Sequence, residues 1–118
     1  MKRVLFVDDE PMMLSGLKNM FRKHRREWDM VFVSSGRDAL EELARAPFDV
    51  LVSDMRMPGL DGAELLQQVQ ARWPATACFI LSGYADAEAQ QRAKAVARGY
   101  FSKPCEAEAL RSAIEGIL

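Results

Sequence analysis

Four apolar runs in this chain each end in a residue capable of chemistry. Val4–Val7 stops at Asp8-Asp9-Glu10, Val50–Val52 leads to Asp54, Cys78–Leu81 leads to Ser82, and Tyr100-Phe101 leads to Lys103. If the runs are neighbouring strands, three carboxylates (Asp8, Asp9 and Asp54), a hydroxyl and an ammonium converge at one edge of a sheet. Like charges about 4 Å apart repel by roughly 4 kcal/mol at an effective dielectric near 20. One lysine does not offset three such acids, so either a proton is retained or a hard cation sits among them. Magnesium suits that donor set, because it takes oxygen ligands, few of them from protein, and shares its shell with phosphate. A carboxylate beside magnesium, a lysine and a hydroxyl is equipped to accept a phosphoryl group as an aspartyl phosphate. An aspartate would be the nucleophile, and the acids at 8 and 9 would hold the metal. Glu10 reads as a helix-start acid favoured by the helix dipole.

The elements that must position these residues alternate. Apolar runs at Val4–Val7, Met30–Val33, Val50–Val52, Cys78–Leu81 and Tyr100-Phe101 read as strands buried on both faces, as in a parallel sheet. Between them lie helical patterns. Pro11 precedes Leu14, Leu17 and Phe21; Ser35-Gly36-Arg37-Asp38 looks like a capping box leading to Leu40 and Leu43; Asp61 and Glu64 open a helix carrying Leu66, Val69 and Trp73. A fourth helix, about residues 86 to 97, is alanine-rich with Val96, buries little area and is expected to be the least firmly anchored. Leu110, Ala113, Ile114, Ile117 and Leu118 stripe the last helix. Strand followed by helix, five times, predicts an α/β domain with a parallel sheet covered on both sides, and ligands at the carboxyl ends of its strands.

Composition excludes several alternatives. The 118 residues suit one domain, and the net charge of −1 provides no basic field for nucleic acid or an anionic membrane. Partner recognition must then be local. No segment is long and apolar enough to span a bilayer, and Met1-Lys2-Arg3 is followed by too short an apolar stretch for a signal peptide, so a cytoplasmic protein is expected. Cys78 and Cys105 form no metal-ligand or disulfide pattern; Cys78 reads as a small core residue and Cys105 as packing. The methionines at 12, 13, 55 and 57 have carboxylate neighbours and are no soft-metal box. The single histidine, His24, lies within Arg22-Lys23-His24-Arg25-Arg26 and is expected on a solvated face at a helix end.

Taken together and in this order, Asp8-Asp9, Asp54 with Met57-Pro58-Gly59 and Asp61-Gly62, Ser82-Gly83 and Lys103-Pro104 resemble the receiver domain of two-component response regulators over essentially the whole chain, residues 1–118. The resemblance implies a flavodoxin-like, doubly wound sheet of five parallel strands in the order 2-1-3-4-5 with five helices. It implies that Asp54 is the phosphoacceptor, taking its phosphoryl group from a histidine on a kinase or phosphotransfer protein with Mg2+. Asp9 would ligate the metal directly, Asp8 mainly through water, and the main-chain carbonyl of Arg56 would complete the protein's share. Ser82 and Lys103 would each bond a phosphoryl oxygen, and the Lys103-Pro104 peptide would be cis. Tyr100 stands at the switch-aromatic position: Ser82 would be drawn to the phosphate, Tyr100 would fill the space behind it, and the surface of helix four, strand five and helix five would change. The segment Ala97-Arg98-Gly99 before strand five is about one residue shorter than in many receivers, and Arg56 and Tyr84 fill the variable positions two residues beyond Asp54 and Ser82.

The implied role is regulatory, with self-phosphorylation and dephosphorylation as its only chemistry. The competing reading, a magnesium-dependent phosphohydrolase with an aspartyl intermediate, meets Arg56 where hydrolases of the haloacid-dehalogenase type usually carry a second acid. Neither a P-loop nor a Gly-x-Gly-x-x-Gly run supports nucleotide binding. The chain fits either a stand-alone regulator or the amino-terminal receiver of a larger one. A homodimer through helices four and five, and an output domain or partner on the same surface, are the interactions expected of it.

Overall fold

The computed structural model describes residues 2–83, 87–102 and 107–117. Strands β1 (Lys2–Val7), β2 (Trp28–Val33), β3 (Val50–Asp54), β4 (Ala77–Ser82) and β5 (Gly99–Ser102) alternate with helices α1 (Pro11–Met20), α2 (Gly36–Arg45), α3 (Gly62–Arg72), α4 (Ala87–Val96) and α5 (Ala107–Ile117), and a short 3-10 turn, Arg22–His24, follows α1. All neighbouring strands are parallel and their order is β2-β1-β3-β4-β5, as expected. Asp86, at the expected start of α4, lies outside the described residues, as do Tyr84, Lys103, Pro104 and Cys105.

Two apolar layers sandwich the sheet. Leu5, Val7, Leu51 and Ile80 face Leu43 of α2, Leu65, Leu66 and Val69 of α3, and Ala93 and Val96 of α4. Val4, Phe6, Val50, Val52, Phe79 and Leu81 face Leu17 of α1 and Leu110 and Ile114 of α5. Alternate side chains thus serve opposite layers, which is why β1, β3 and β4 read as unbroken apolar runs. The edge strands differ from expectation. β2 buries only Trp28 fully and the other five residues partly, and β5 has no fully buried residue. Each has a single neighbour strand, so neither is enclosed as the three inner strands are.

Local chemistry sets the helix starts. α3 carries a complete capping box: the Asp61 carboxylate accepts the Glu64 N–H at 2.8 Å, and the Glu64 carboxylate accepts the Asp61 N–H at 3.0 Å. Only half of the box expected at Ser35 forms. The Ser35 hydroxyl oxygen accepts the Asp38 N–H at 3.0 Å, without a return bond, since Asp is one methylene shorter than the Glu that completes the motif. Pro11 opens α1, where its missing N–H costs nothing.

His24 corrects its expectation. The flanking Arg22, Lys23, Arg25 and Arg26 are exposed, but His24 is buried, stacked on Trp28 with ring centroids 4.6 Å apart and tilted against Phe21 at 6.3 Å. The 3-10 turn drives this: the His24 N–H donates to the Phe21 carbonyl at 2.9 Å and turns the ring inward while its neighbours point to water. Cys78 is buried as expected, and burial pushes its thiol up to about 12. Met55 and Met57 are buried, whereas Met12 is 85% exposed.

Candidate functional site

The sheet register delivers the acids. Val7 of β1 pairs with Ser53 of β3, so Asp8 and Asp54 each emerge one residue later, side by side at the carboxyl edge. On the other side Asp54 pairs with Leu81, and Ser82 follows, itself paired with Ser102 of β5. Asp8, Asp54 and Ser82 are all buried, at 1%, 5% and 3% exposure, so the edge is a floor set into the molecule rather than a solvated rim. Asp9 is half-buried and Glu10 exposed.

Backbone bonds hold that floor. The Asp8 N–H donates to the Val33 carbonyl of β2 at 3.2 Å, and the Asp8 carboxylate accepts the Glu10 N–H at 2.9 Å, turning the chain into α1. Beyond Asp54, the Met55 N–H continues the ladder to the Leu81 carbonyl at 2.9 Å, and the Gly62 N–H donates to the Met55 carbonyl at 2.8 Å. The segment between leaves the sheet and returns to the same point. Its reversal uses Gly59 at φ +77°, a conformation that side chains disfavour. The buried Ser53 hydroxyl donates to the Asp54 carbonyl at 2.9 Å, fixing the backbone at that position.

Carboxylate oxygens of Asp8, Asp9 and Glu10 lie within 4.8 Å of one another. Such a cluster of hard oxygen donors fits magnesium, which prefers carboxylate and carbonyl oxygens over sulfur or imidazole. Glu10, read from the sequence as a helix-start acid only, is thus also brought to the acidic cluster. Asp54 comes from the adjacent strand, and Arg56, whose carbonyl completes the expected set, is an exposed residue of the β3–α3 loop. Tyr100 pairs with Ile80 in the sheet and packs, partly buried, on the α2–α4 layer. Lys103, with the expected cis peptide to Pro104, falls outside the described residues.

One contact here was not anticipated. The Arg92 guanidinium of α4 reaches Asp61 at the start of α3, 3.0 and 3.3 Å from its two oxygens. A cleft of about 540 Å³ lies beside that pair, lined by Met55, Arg56, Met57, Glu64 and Glu88 among others. Thirty-one residues separate the partners, and only the packing of α4 on α3 brings them together.

Comparison with known proteins gives this arrangement a context. Residues 4–115 match the family described as response regulator receiver domain. The transcriptional regulatory protein YesN of Bacillus subtilis is 30% identical over all of this chain and 33% of its own length. The response regulator PilR of Pseudomonas aeruginosa is 33% identical over 96% of this chain and 25% of its own. The chain therefore spans only a quarter to a third of these relatives. Among solved structures, a response regulator receiver domain from Clostridium thermocellum superposes with a TM-score of 0.88 at 28% identity, covering 99% of this chain and 94% of the other. The chemotaxis response regulator CheY4 of Vibrio cholerae superposes with a TM-score of 0.86 at 29% identity, over 100% and 99% of the two chains.

Proposed function

Since the chain belongs to the response regulator receiver family, we propose that it is switched by a phosphoryl group taken onto Asp54 from a phosphohistidine of a sensor kinase or phosphotransfer protein. The observation that carries this reading is the register that sets Asp54 level with Asp8 and beside Ser82, all three buried at one sheet edge. An Asp54 carboxylate oxygen attacks phosphorus; the P–O bond forms as the P–N bond to the donor imidazole breaks, and the imidazole leaves with the electron pair. Asp8, Asp9, Asp54 and the main-chain carbonyl of Arg56 would hold Mg2+. When bound, the ion neutralises charge on the transferring oxygens. The Ser82 hydroxyl donates to one phosphoryl oxygen and Lys103 pairs with another. Burial of Asp54 limits the approach of water to the acyl phosphate.

The readout in this proposal runs through Ser82 and Tyr100. Ser82 moves toward the phosphoryl oxygen, Tyr100 fills the space left behind it, and the α4–β5–α5 surface changes. That surface then meets an output domain, a partner protein or a second copy of the chain. The module acts in the cytoplasm, uses residues 1–118 as one domain, and itself contacts neither nucleic acid nor membrane; among the described residues no helix is long and apolar enough to cross a membrane. Site mapping tests the acceptor. After treatment with acetyl phosphate and Mg2+, borohydride reduction should convert residue 54 alone to homoserine. Homoserine at any other position, with position 54 untouched, would refute the assignment.

A further inference from the structure

Helix α4 is tied to the rest of the molecule through few apolar atoms. Of its side chains that are described, Ala93 and Val96 are buried, and neither offers much surface. Among the described residues, polar contacts from Gln70 and Asp61 supplement them. The Gln70 side-chain amide donates to the Val96 carbonyl, and one turn earlier in α4 a single Arg92 nitrogen, Nη2, bonds both carboxylate oxygens of Asp61. Asp61 is no ordinary surface acid. It caps α3 through Glu64, and its neighbour Gly62 bonds the Met55 carbonyl directly after Asp54. Arg92 thus holds α4, across an open cleft, to the loop that follows the candidate phosphoacceptor.

We infer that Arg92 is a positioning residue: its bond to Asp61 tethers α4 to the β3–α3 loop and thereby sets how readily Asp54 accepts a phosphoryl group. This rests on the proposed role of Asp54. A tether resists displacement of α4 relative to the loop, so removing it lowers the work of any α4 movement that accompanies phosphorylation. The pair is partly exposed, Asp61 at 24% and Arg92 at 45%, so it weakens with ionic strength. One nitrogen makes both contacts, so a lysine ammonium keeps the charge at this position, but its stem ends one bond short of Nη2 and lengthens the pair. The capping box shares the Asp61 Oδ1 atom with Arg92, but both of its own bonds run between Asp61 and Glu64, so an Arg92 variant keeps α3 intact.

The experiment compares the native chain with Arg92→Ala and Arg92→Lys. Hydrogen exchange, measured without phosphodonor, should be faster over residues 87–96 in Arg92→Ala and unchanged over 62–72, with Arg92→Lys between Arg92→Ala and the native chain. Initial rates of phosphorylation by acetyl phosphate should rise about two- to five-fold in Arg92→Ala, the range a partly exposed ion pair supplies. Raising KCl from about 0.05 to about 0.5 M should move the native rate toward that of Arg92→Ala. Equal exchange over 87–96 in the native chain and Arg92→Ala would overturn the tether. Faster exchange with an unchanged rate would overturn its coupling to Asp54. A native chain that takes up no phosphoryl group would overturn the Asp54 reading and the coupling with it, and the exchange data would still decide the tether.

Discussion

The Gly62 N–H donates to the Met55 carbonyl at 2.8 Å, closing the β3–α3 loop into a ring one residue beyond Asp54. That closure is possible only because residue 62 has no side chain. A Cβ there would fall well inside contact distance of the Asp54 carbonyl oxygen and 2.9 Å from both Met55 Cα and Ile80 Cδ1. Gly62→Ala should therefore destabilise the fold by about 2–4 kcal/mol in urea denaturation, mostly as backbone displacement at the strand that carries Asp54. Gly16, inside α1 with open space around it, is the contrast: Gly16→Ala should stabilise by about 0.5–1 kcal/mol. Equal effects at the two positions would contradict the close approach at Gly62.

A second expectation concerns His24. Both ring nitrogens are buried, and neither has a hydrogen-bond partner among the described residues; the Glu27 carboxylate is 3.6 Å from Nδ1. The ring acts chiefly as an aromatic slab stacked on Trp28, in a three-ring cluster that Phe21 completes. His24→Phe should change stability by less than about 1 kcal/mol, or raise it, because no polar bond is lost. His24→Ala should cost about 2–4 kcal/mol through the cavity it leaves. Thermal or urea unfolding of both variants separates the aromatic role from a polar one, which would make His24→Phe as damaging as His24→Ala.

The Cys78 thiol gives a pH dependence with a definite sign. Burial raises it from the ordinary 9.0 to about 12, so the folded state keeps the proton longer than the unfolded state does. Its contribution is fully present below about pH 9 and is lost as the pH rises toward 12, amounting to about 2 kcal/mol by pH 10.5. In a Cys105→Ser background, urea denaturation at pH 8 and pH 10.5 should show a larger alkaline loss with Cys78 than with Cys78→Ala. The same thiol should resist a disulfide reagent until the chain unfolds.

Asp8 offers a test of the metal set that spares the fold. Its carboxylate accepts the Glu10 N–H, a bond that an asparagine amide oxygen can also accept. Asp8→Asn should keep native stability to within about 1 kcal/mol yet raise the magnesium concentration needed for half-maximal phosphorylation by about ten-fold or more. An unchanged magnesium requirement would remove Asp8 from the set.

The sequence makes the inner strands and their terminal acids legible for one reason. A strand enclosed on both faces has no polar alternation, so the first charge marks its end, as Asp8 does after Val7. Edge strands lose that contrast: β2 begins at Trp28, two residues before its apolar run, with Asp29 in between. The burial of His24 is hidden by the four cations around it, although Phe21 three residues before and Trp28 four residues after gave a spacing that could have exposed it. Nothing local announces Asp61–Arg92, because the pair depends on how α4 lies against α3. Asp61 itself was legible as a helix cap, but its second role was not.

In the proposed mechanism Asp54 accepts a phosphoryl group at the edge it shares with Asp8 and Ser82. Intact mass after incubation with acetyl phosphate, for the native chain and Asp54→Asn, with Mg2+ and with a chelator, tests it most directly. One phosphoryl increment is expected on the native chain with Mg2+, and none with the chelator or on Asp54→Asn. An increment of the same size on Asp54→Asn, or on the chelated native chain, would contradict it.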